Sequence, residues 1–366
     1  MSRLNKKEMA AKSIEFFVKK PSQQHVLWLN FALTYNCNSR CVMCSIWQKY
    51  KQQPDLAKEE LTIPDIETLL ASPHLADLQG VSFTGGEPLI RKDFVEIAGL
   101  FINRYPNAII GVATNGLNPK LTVDKIKKIQ DMYNPKHFSV SLSLDGLNAK
   151  HDEIRGVPGA YEALNETIEL LKSETDVNIG VDFTITPWNF RELLDVYRFT
   201  KEKHIKFLAG FAHNSGAYYG NTEIEFEWSS SELDIIEADM STIVQDRISN
   251  ESIFNKLIDP YAFYLSDCVR HQIEGTMHQR CYSGIHSLFL DPQGNVYPCI
   301  MLDRKLGNIK ENGFDSIWTS PGASSLRHEI RSGTCGCWVA CEAVPSMLRK
   351  FDFVKWNLKN KFINRI

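Results

Sequence analysis

No stretch of this chain approaches the ~18 consecutive apolar residues of a membrane-spanning helix, and the N-terminal MSRLNKKEMAAKSIEFFVKK breaks its apolar residues with charges. Neither a bilayer span nor a secretory signal is expected. Net charge is also nearly absent. Forty-one Lys and Arg stand against 44 Asp and Glu, a balance of −3, which lacks the electrostatic footprint of a general nucleic-acid binder. Internal repeats and low-complexity segments are missing as well. The expectation is a cytoplasmic protein with no nucleic-acid partner.

What is present is enough apolar material for a large core. At 366 residues and 43% hydrophobic, the length suits two domains of roughly 150 residues or one barrel with an appendage. From residue 27 the sequence beats between β-rich and amphipathic segments. Strand patterns occur at 27–35, 78–84, 108–114, 137–144, 177–186 and 205–212; helical patterns occur at 63–72, 93–105, 119–131, 159–174 and 190–203. Continuously apolar or β-branched strands, each followed by a helix, argue for a parallel sheet with right-handed crossovers. Six such strands make a partial TIM-like (β/α)6 barrel, of α/β class. After residue 220 the beat stops. Helical patterns cover 229–248 and 252–272, and 287–301 reads as a hairpin turning at Gln293-Gly294-Asn295. The chain is therefore divided into an N-terminal helical segment (1–26), the partial barrel (27–220), a helical connector (221–275), a small α+β extension (276–345) and a basic amphipathic tail (346–366).

Active sites of β/α barrels lie at the C-terminal ends of the strands, and every strand here ends in something chemically unusual. The first runs into the cysteine loop YNCNSRCVMC, the second into GGEP (85–88), the third into Asn115-Gly116 and the fourth into Asp145-Gly146. The fifth ends at PWN (187–189) and the sixth at HNSG (213–216). All should face one cavity. Period-two alternation puts Asp182, Thr184 and Thr186 on one face of the fifth strand, read as inward. Trp188, His213, Asn214 and Tyr218 complete the later strand ends. His213 and Asp182 are the candidate catalytic groups, His213 for proton transfer.

Nine cysteines in a reducing compartment argue for metal ligation rather than disulfides. Cys37, Cys41 and Cys44 form one group; Cys281, Cys299, Cys335, Cys337 and Cys341 form another. Cys268 stands in a helical pattern and reads as a small buried hydrophobe. A structural zinc site wants four closed ligands, and the first group lacks a nearby fourth. Three thiolates leave one position open. In a 4Fe-4S cluster that is one iron without a protein ligand.

The Cys37, Cys41, Cys44 spacing resembles the signature of the radical S-adenosylmethionine (SAM) superfamily, and GGEP, ATNG and SLSLDG are similar to its accompanying motifs in order and at strand ends. The likeness covers about residues 27–215. It implies that the three cysteines hold a 4Fe-4S cluster whose open iron binds SAM. It further implies that Gly85, Gly86 and Glu87 receive the SAM amino group, that Asn115 and Ser143 lie by the ribose, and that Arg155 pairs with the SAM carboxylate. Met43 takes a backbone role beside adenine, where many relatives carry an aromatic residue. Asp145 and Gly146 read equally as a cofactor contact and as a strand-end turn.

The stretch from Cys281 through Gly294 to Cys299, with LDPQGNVYPCIMLDRKLGNI (290–309), resembles the start of the SPASM or twitch extension of such enzymes. The resemblance implies one auxiliary 4Fe-4S cluster, assigned to Cys281, Cys299, Cys337 and Cys341, with Cys335 as the alternative to Cys337. An electron donor such as flavodoxin or ferredoxin is implied as a partner. SAM cleavage and hydrogen-atom abstraction are the implied reaction, and an auxiliary cluster favours oxidation of the substrate radical. The short N-terminal segment leaves no room for a leader-recognition domain, so a small molecule such as a sugar or lipid precursor is expected. A peptide-modifying maturase of the RiPP type and a radical epimerase are the alternatives within the enzyme class; a zinc-binding interaction protein is the alternative outside it. In the tail, Met347, Phe351, Val354, Leu358 and Phe362 form a helical stripe flanked by six basic residues, which suits either packing on the barrel or peripheral membrane contact.

Overall fold

The computed structural model describes residues 25–249, 260–275, 281–333 and 336–348. Six parallel strands, β1 (Trp28–Thr34), β2 (Gly80–Gly85), β3 (Ile109–Thr114), β4 (Phe138–Ser143), β5 (Asn178–Ile185) and β6 (Lys206–Phe211), follow one another in spatial order. Helices on the outer face connect them, among them α1 (Phe94–Arg104), α2 (Pro119–Tyr133), α3 (Ala149–Arg155), α4 (Ala160–Glu174) and α5 (Leu193–Glu202). This is the expected partial barrel, and it is not closed.

The later strands are not continuously apolar, as read from sequence, but alternate. In β4, Val140 and Leu142 are buried while Ser139, Ser141 and Ser143 are half-buried; in β5, Val181 and Phe183 alternate with Gly180, Asp182 and Thr184. The apolar parity packs against the helices, and the small or polar parity lines the concave face, which an open barrel leaves accessible. Under β1 and β2 the core is aromatic. Phe83 stands edge-on to Phe101 and Phe94 at 5.3 and 5.8 Å between centroids, an arrangement worth about 0.5–1.5 kcal/mol per pair beyond burial.

An incomplete barrel leaves the edge of β1 with unpaired backbone groups. The extension covers it. Strand β7 (Ser287–Leu290) pairs in parallel with β1, from Trp28 opposite Ser287 to Phe31 opposite Leu290, and β8 (Asn295–Tyr297) and β9 (Gly307–Asn308) continue the sheet antiparallel. The hairpin predicted at 287–301 therefore belongs to the barrel's own sheet. Its turn is held by the Asp291 carboxylate, which accepts from the backbone N–H of Gln293 and Asn295 at 3.0 and 2.8 Å, with Gly294 at φ +88°. A further helix, α6 (Ser230–Ser249), packs against α7 (Pro260–Glu274), which reaches β6 and the last described helix, α8 (Ala340–Leu348). The start of the helix predicted at 252–272 lies outside the described residues. So does the tail beyond residue 348; of its apolar stripe only Met347 is described, and it is fully buried. No helix among the described residues is long and apolar enough to cross a membrane.

Candidate active site

Cys37, Cys41 and Cys44 line one cavity of about 330 Å³ at the C-terminal ends of the strands. Their loop is clamped from outside: Arg40 and Val42 donate backbone N–H to the carbonyls of Arg155 and Ile154 at 2.9 and 3.0 Å, and the Arg40 guanidinium bonds the carbonyls of Cys37 and Ser39. Burial pushes the Cys37 thiol up to about 11 against a lowering contact from Ser39, and burial with the neighbouring Cys41 pushes Cys44 up to about 12. Three clustered thiols with a cation on one sulfur fit an iron–sulfur site, whose loading must release their protons. Arg155 is that cation. Its Nη2 lies 2.7 Å from Asp145 Oδ2 and its Nη1 donates to Cys41 Sγ at 3.5 Å.

The GGEP segment is zipped to the residues that enter the cysteine loop. Gly86 N–H donates to Thr34 O at 2.7 Å and Glu87 N–H to Asn36 O at 2.8 Å. A Cβ on Gly86 would stand 2.2 Å from Asn36 O, and one on Gly85 2.3 Å from Thr34 O. Only glycine lets the two segments approach so closely. Gly85 and Gly86 line the cavity; Glu87 does not. Its carboxylate turns inward and accepts from Leu89 N–H, Thr114 Oγ1 and Asn115 N–H at 3.1, 2.8 and 2.7 Å. A fully committed side chain fixes the next strand end; an amino group at this segment would meet backbone.

Asn115 faces the cavity and donates to Asn38 Oδ1 and Ser39 Oγ at 2.7 and 3.0 Å; Ser143 and Met43 also line it. Asp182 and Thr184 line the cavity as expected, but Thr186 does not: its hydroxyl donates to Asn189 Oδ1 at 2.8 Å beneath the turn. Exposed Trp188 packs on Phe226 instead, and Asn214 bonds the carbonyls of Asn221 and Ile224. Both leave the cavity because the strand has ended and the chain turns outward. His213 remains in it, pushed down to about 4 by burial and by His271.

In the second cysteine group, Cys281, Cys299 and Cys341 are neighbours. Cys281 and Cys299 are buried, while Cys341 lines the same cavity as the first trio. Burial, with Glu342, Cys299 and Cys281 as neighbours, pushes the Cys341 thiol well up. Glu342 was not apparent from sequence, although it directly follows Cys341. Its Oε1 accepts from Asn30 Nδ2 at 3.0 Å, and its Oε2 accepts from the hydroxyls of Ser283 and Ser287 at 2.6 and 2.5 Å. One buried carboxylate thus joins α8 to β1 and β7. Cys337 is half-buried and Cys335 lies outside the described residues. Cys268 is buried, as expected. No group of three or more His, Cys, Asp or Glu side chains among the described residues forms a ready single-ion site.

The family profile described as "Radical SAM superfamily" matches residues 31–200, and that of an "Iron-sulfur cluster-binding domain" (SPASM) matches 281–342. The chain carries a radical SAM domain followed by a SPASM domain. The zinc-binding alternative is thereby set aside, and the radical SAM domain implies a 4Fe-4S cluster and SAM, as the SPASM domain implies auxiliary iron–sulfur clusters. This radical SAM enzyme is 27% identical to the Fe-coproporphyrin III synthase of Methanosarcina barkeri over 86% of this chain and 76% of the relative. It is 24% identical to the sporulation killing factor maturation protein SkfB of Bacillus subtilis over 83% and 67%. Among solved structures, SuiB of Streptococcus suis bound to S-adenosylmethionine superposes with a TM-score of 0.58 at 19% identity, over 83% of this chain and 68% of that one. anSMEcpe with bound AdoMet and a peptide gives 0.55 at 17% over 92% and 96%. At these identities the structural likeness is one of fold.

Proposed function

We propose that this radical SAM enzyme oxidises a substrate held between its two cysteine sites. The observation that carries the reading is that Cys341 lines the cavity that Cys37, Cys41 and Cys44 also line. When bound, the cluster and SAM supply a 5'-deoxyadenosyl radical that takes a hydrogen atom from substrate. The protein's own part is to bind and orient. Cys37, Cys41 and Cys44 would hold the first cluster, and the Gly85-Gly86 backbone, Asn115, Ser143 and Met43 would surround SAM. Arg155 reaches the site already paired with Asp145, so its part is to steady Cys41 as much as to meet the SAM carboxylate. Cys281, Cys299, Cys341 and Cys337 or Cys335 would hold one auxiliary cluster, which would supply a one-electron oxidant. The electron that starts the cycle comes from a flavodoxin or ferredoxin.

Asp182 supports a substrate class. Its Oδ2 accepts from Ser141 Oγ at 2.6 Å, and burial raises its pKa. Among the described residues no lysine lines the cavity, the one arginine that does is paired with Asp145, and His213 is held neutral by burial. A polycarboxylate would meet Asp182 without a free cation to answer it. A small molecule rich in hydroxyl or amine donors, such as a sugar, is the preferred substrate. A peptide, whose backbone also offers N–H donors, is the second reading and is favoured by the likeness to SkfB.

Iron, sulfide and EPR analysis of anaerobically reconstituted protein tests the two-cluster reading, with SAM cleavage followed as 5'-deoxyadenosine. Wild type should carry about eight irons and a Cys37→Ala, Cys41→Ala, Cys44→Ala variant about four, at four per cluster, with cleavage only in wild type. SAM cleavage surviving the triple change would sink the reading. For the substrate, sugars and amino sugars should stimulate 5'-deoxyadenosine formation and tricarboxylates should not. Stimulation that persists unchanged in Asp182→Ala would remove Asp182 from substrate binding.

A further inference from the structure

The chain between β6 and the connector, His213 to Asn221, touches both halves of the site. On the SAM side its anchor is Asn221, a buried side chain with every polar atom used. The Asn221 Nδ2 donates to Met43 O and His213 O, each at 2.9 Å, and Oδ1 accepts from Ser215 N–H at 2.9 Å. Two residues beyond Met43, Ser45 N–H donates to Tyr219 O at 3.0 Å. Tyr218 crosses to the GGEP strand, where its hydroxyl meets Thr84 Oγ1 at 2.7 Å and Gly85 N–H at 3.2 Å.

On the auxiliary side the anchor is Asp303, four residues past Cys299. Its carboxylate accepts from Ser215 Oγ, Gly216 N–H and Ala217 N–H at 3.1, 2.7 and 2.8 Å. Gly216 is needed for that approach, because a Cβ there would lie 2.6 Å from Asp303 Oδ2. The segment is also stiff. Ser215 O accepts from Gly220 N–H at 2.8 Å, closing it into a compact loop, and the rings of Tyr218 and Tyr219 pack 4.6 Å apart. A stiff loop with two anchored ends transmits displacement rather than absorbing it.

We propose that residues 213–221 are a positioning strap that couples the SPASM domain to the Met43 end of the SAM site, with Asn221 and Asp303 as its two positioning residues. The proposal rests on the SAM reading of the cysteine loop and is independent of the oxidation proposed above. Its consequence is that SAM affinity depends on a carboxylate belonging to the other domain. Asn221 is buried and Asp303 exposed, so the former has the larger effect.

The test is equilibrium SAM binding, by anaerobic calorimetry and by the EPR spectrum of the reduced cluster, to full-length reconstituted Asn221→Ala, Asp303→Ala and the double variant. Asn221→Ala should keep about eight irons and bind SAM about tenfold more weakly, which is about 1.4 kcal/mol. Asp303→Ala should bind it about threefold more weakly. The double variant should be no weaker than Asn221→Ala, because both changes release one strap. If Asn221→Ala does not fold, Asn221→Asp keeps the acceptor for Ser215 and removes the donors to Met43 and His213, and the same tenfold loss is expected. Unchanged SAM affinity in a variant with both clusters would overturn the strap, as would additive losses in the double variant. Loss of iron in both Asn221 variants would overturn it too, assigning the segment to architecture. Failure of wild type to bind SAM at all would instead refute the SAM reading.

Discussion

Arg155 and Asp145 form a buried ion pair of 2.7 Å at the back of the cysteine loop. The pair joins helix α3 to the end of β4, and through the other arm of Arg155 it reaches Cys41. Asp145 is also bound to the fifth strand, where its Oδ1 accepts from Thr184 N–H at 2.8 Å. A charge as deeply buried as that of Asp145 depends on its partner, since it has no water to turn to.

Asp145→Asn keeps the Thr184 contact and leaves Arg155 without a counter-charge. It should destabilise the fold by about 3–5 kcal/mol, the usual cost of breaking one side of a buried pair. Urea unfolding of the full chain measures this. The double change Asp145→Asn with Arg155→Met should cost less than the single one; equal or greater cost would show that the pair's electrostatics are not what matters there.

His213 sets a pH dependence. Its pKa is about 4 in the folded chain against about 6.5 when unfolded, so between those values the unfolded chain binds the extra proton. Stability present above pH 6.5 is therefore lost as pH falls toward 4, by on the order of 3 kcal/mol for this one group. Unfolding free energy measured across that window should fall less steeply in His213→Gln. An identical slope in the variant would show that His213 is already protonated in the folded state.

Gly86→Ala should uncouple the two loops. The added Cβ meets backbone, Asn36 O at 2.2 Å and Asn36 C at 2.7 Å, and backbone cannot swing aside as a side chain can. The cysteine loop must shift, and iron content should fall from about eight to about four, the auxiliary cluster remaining. Gly322→Ala is the control. Its Cβ would meet only Ser320 Oγ at 3.8 Å in a helix over Pro321–Arg331, and iron content should not change.

The glycine pair at 85–86, the cysteine trio and the strand-to-helix beat were legible because each is a local requirement. Close approach needs glycine, a soft metal needs thiolates, and a parallel strand needs a returning helix. Glu87 was legible as a position but not as a role, since its carboxylate is spent on a strand end 27 residues away at Thr114. Thr186 followed the alternation and Trp188 the strand-end rule on paper, but the strand stops at Ile185 and the pattern stops with it.

The sequence by itself determined the radical SAM and SPASM assignment, the α/β barrel and the division of the cysteines into two groups, because spacing and strand-end chemistry survive without coordinates. Only the tertiary structure decided that β7 seals the open edge of β1, and that Cys341 opens onto the cavity of the first trio. It likewise decided that Glu342 is bound by Asn30, 312 residues distant in the chain, and that Asp303 holds the loop before Tyr218. These contacts join residues that share no local pattern. They arise because an incomplete barrel must bury its exposed edge, and whatever covers that edge is brought against the active site.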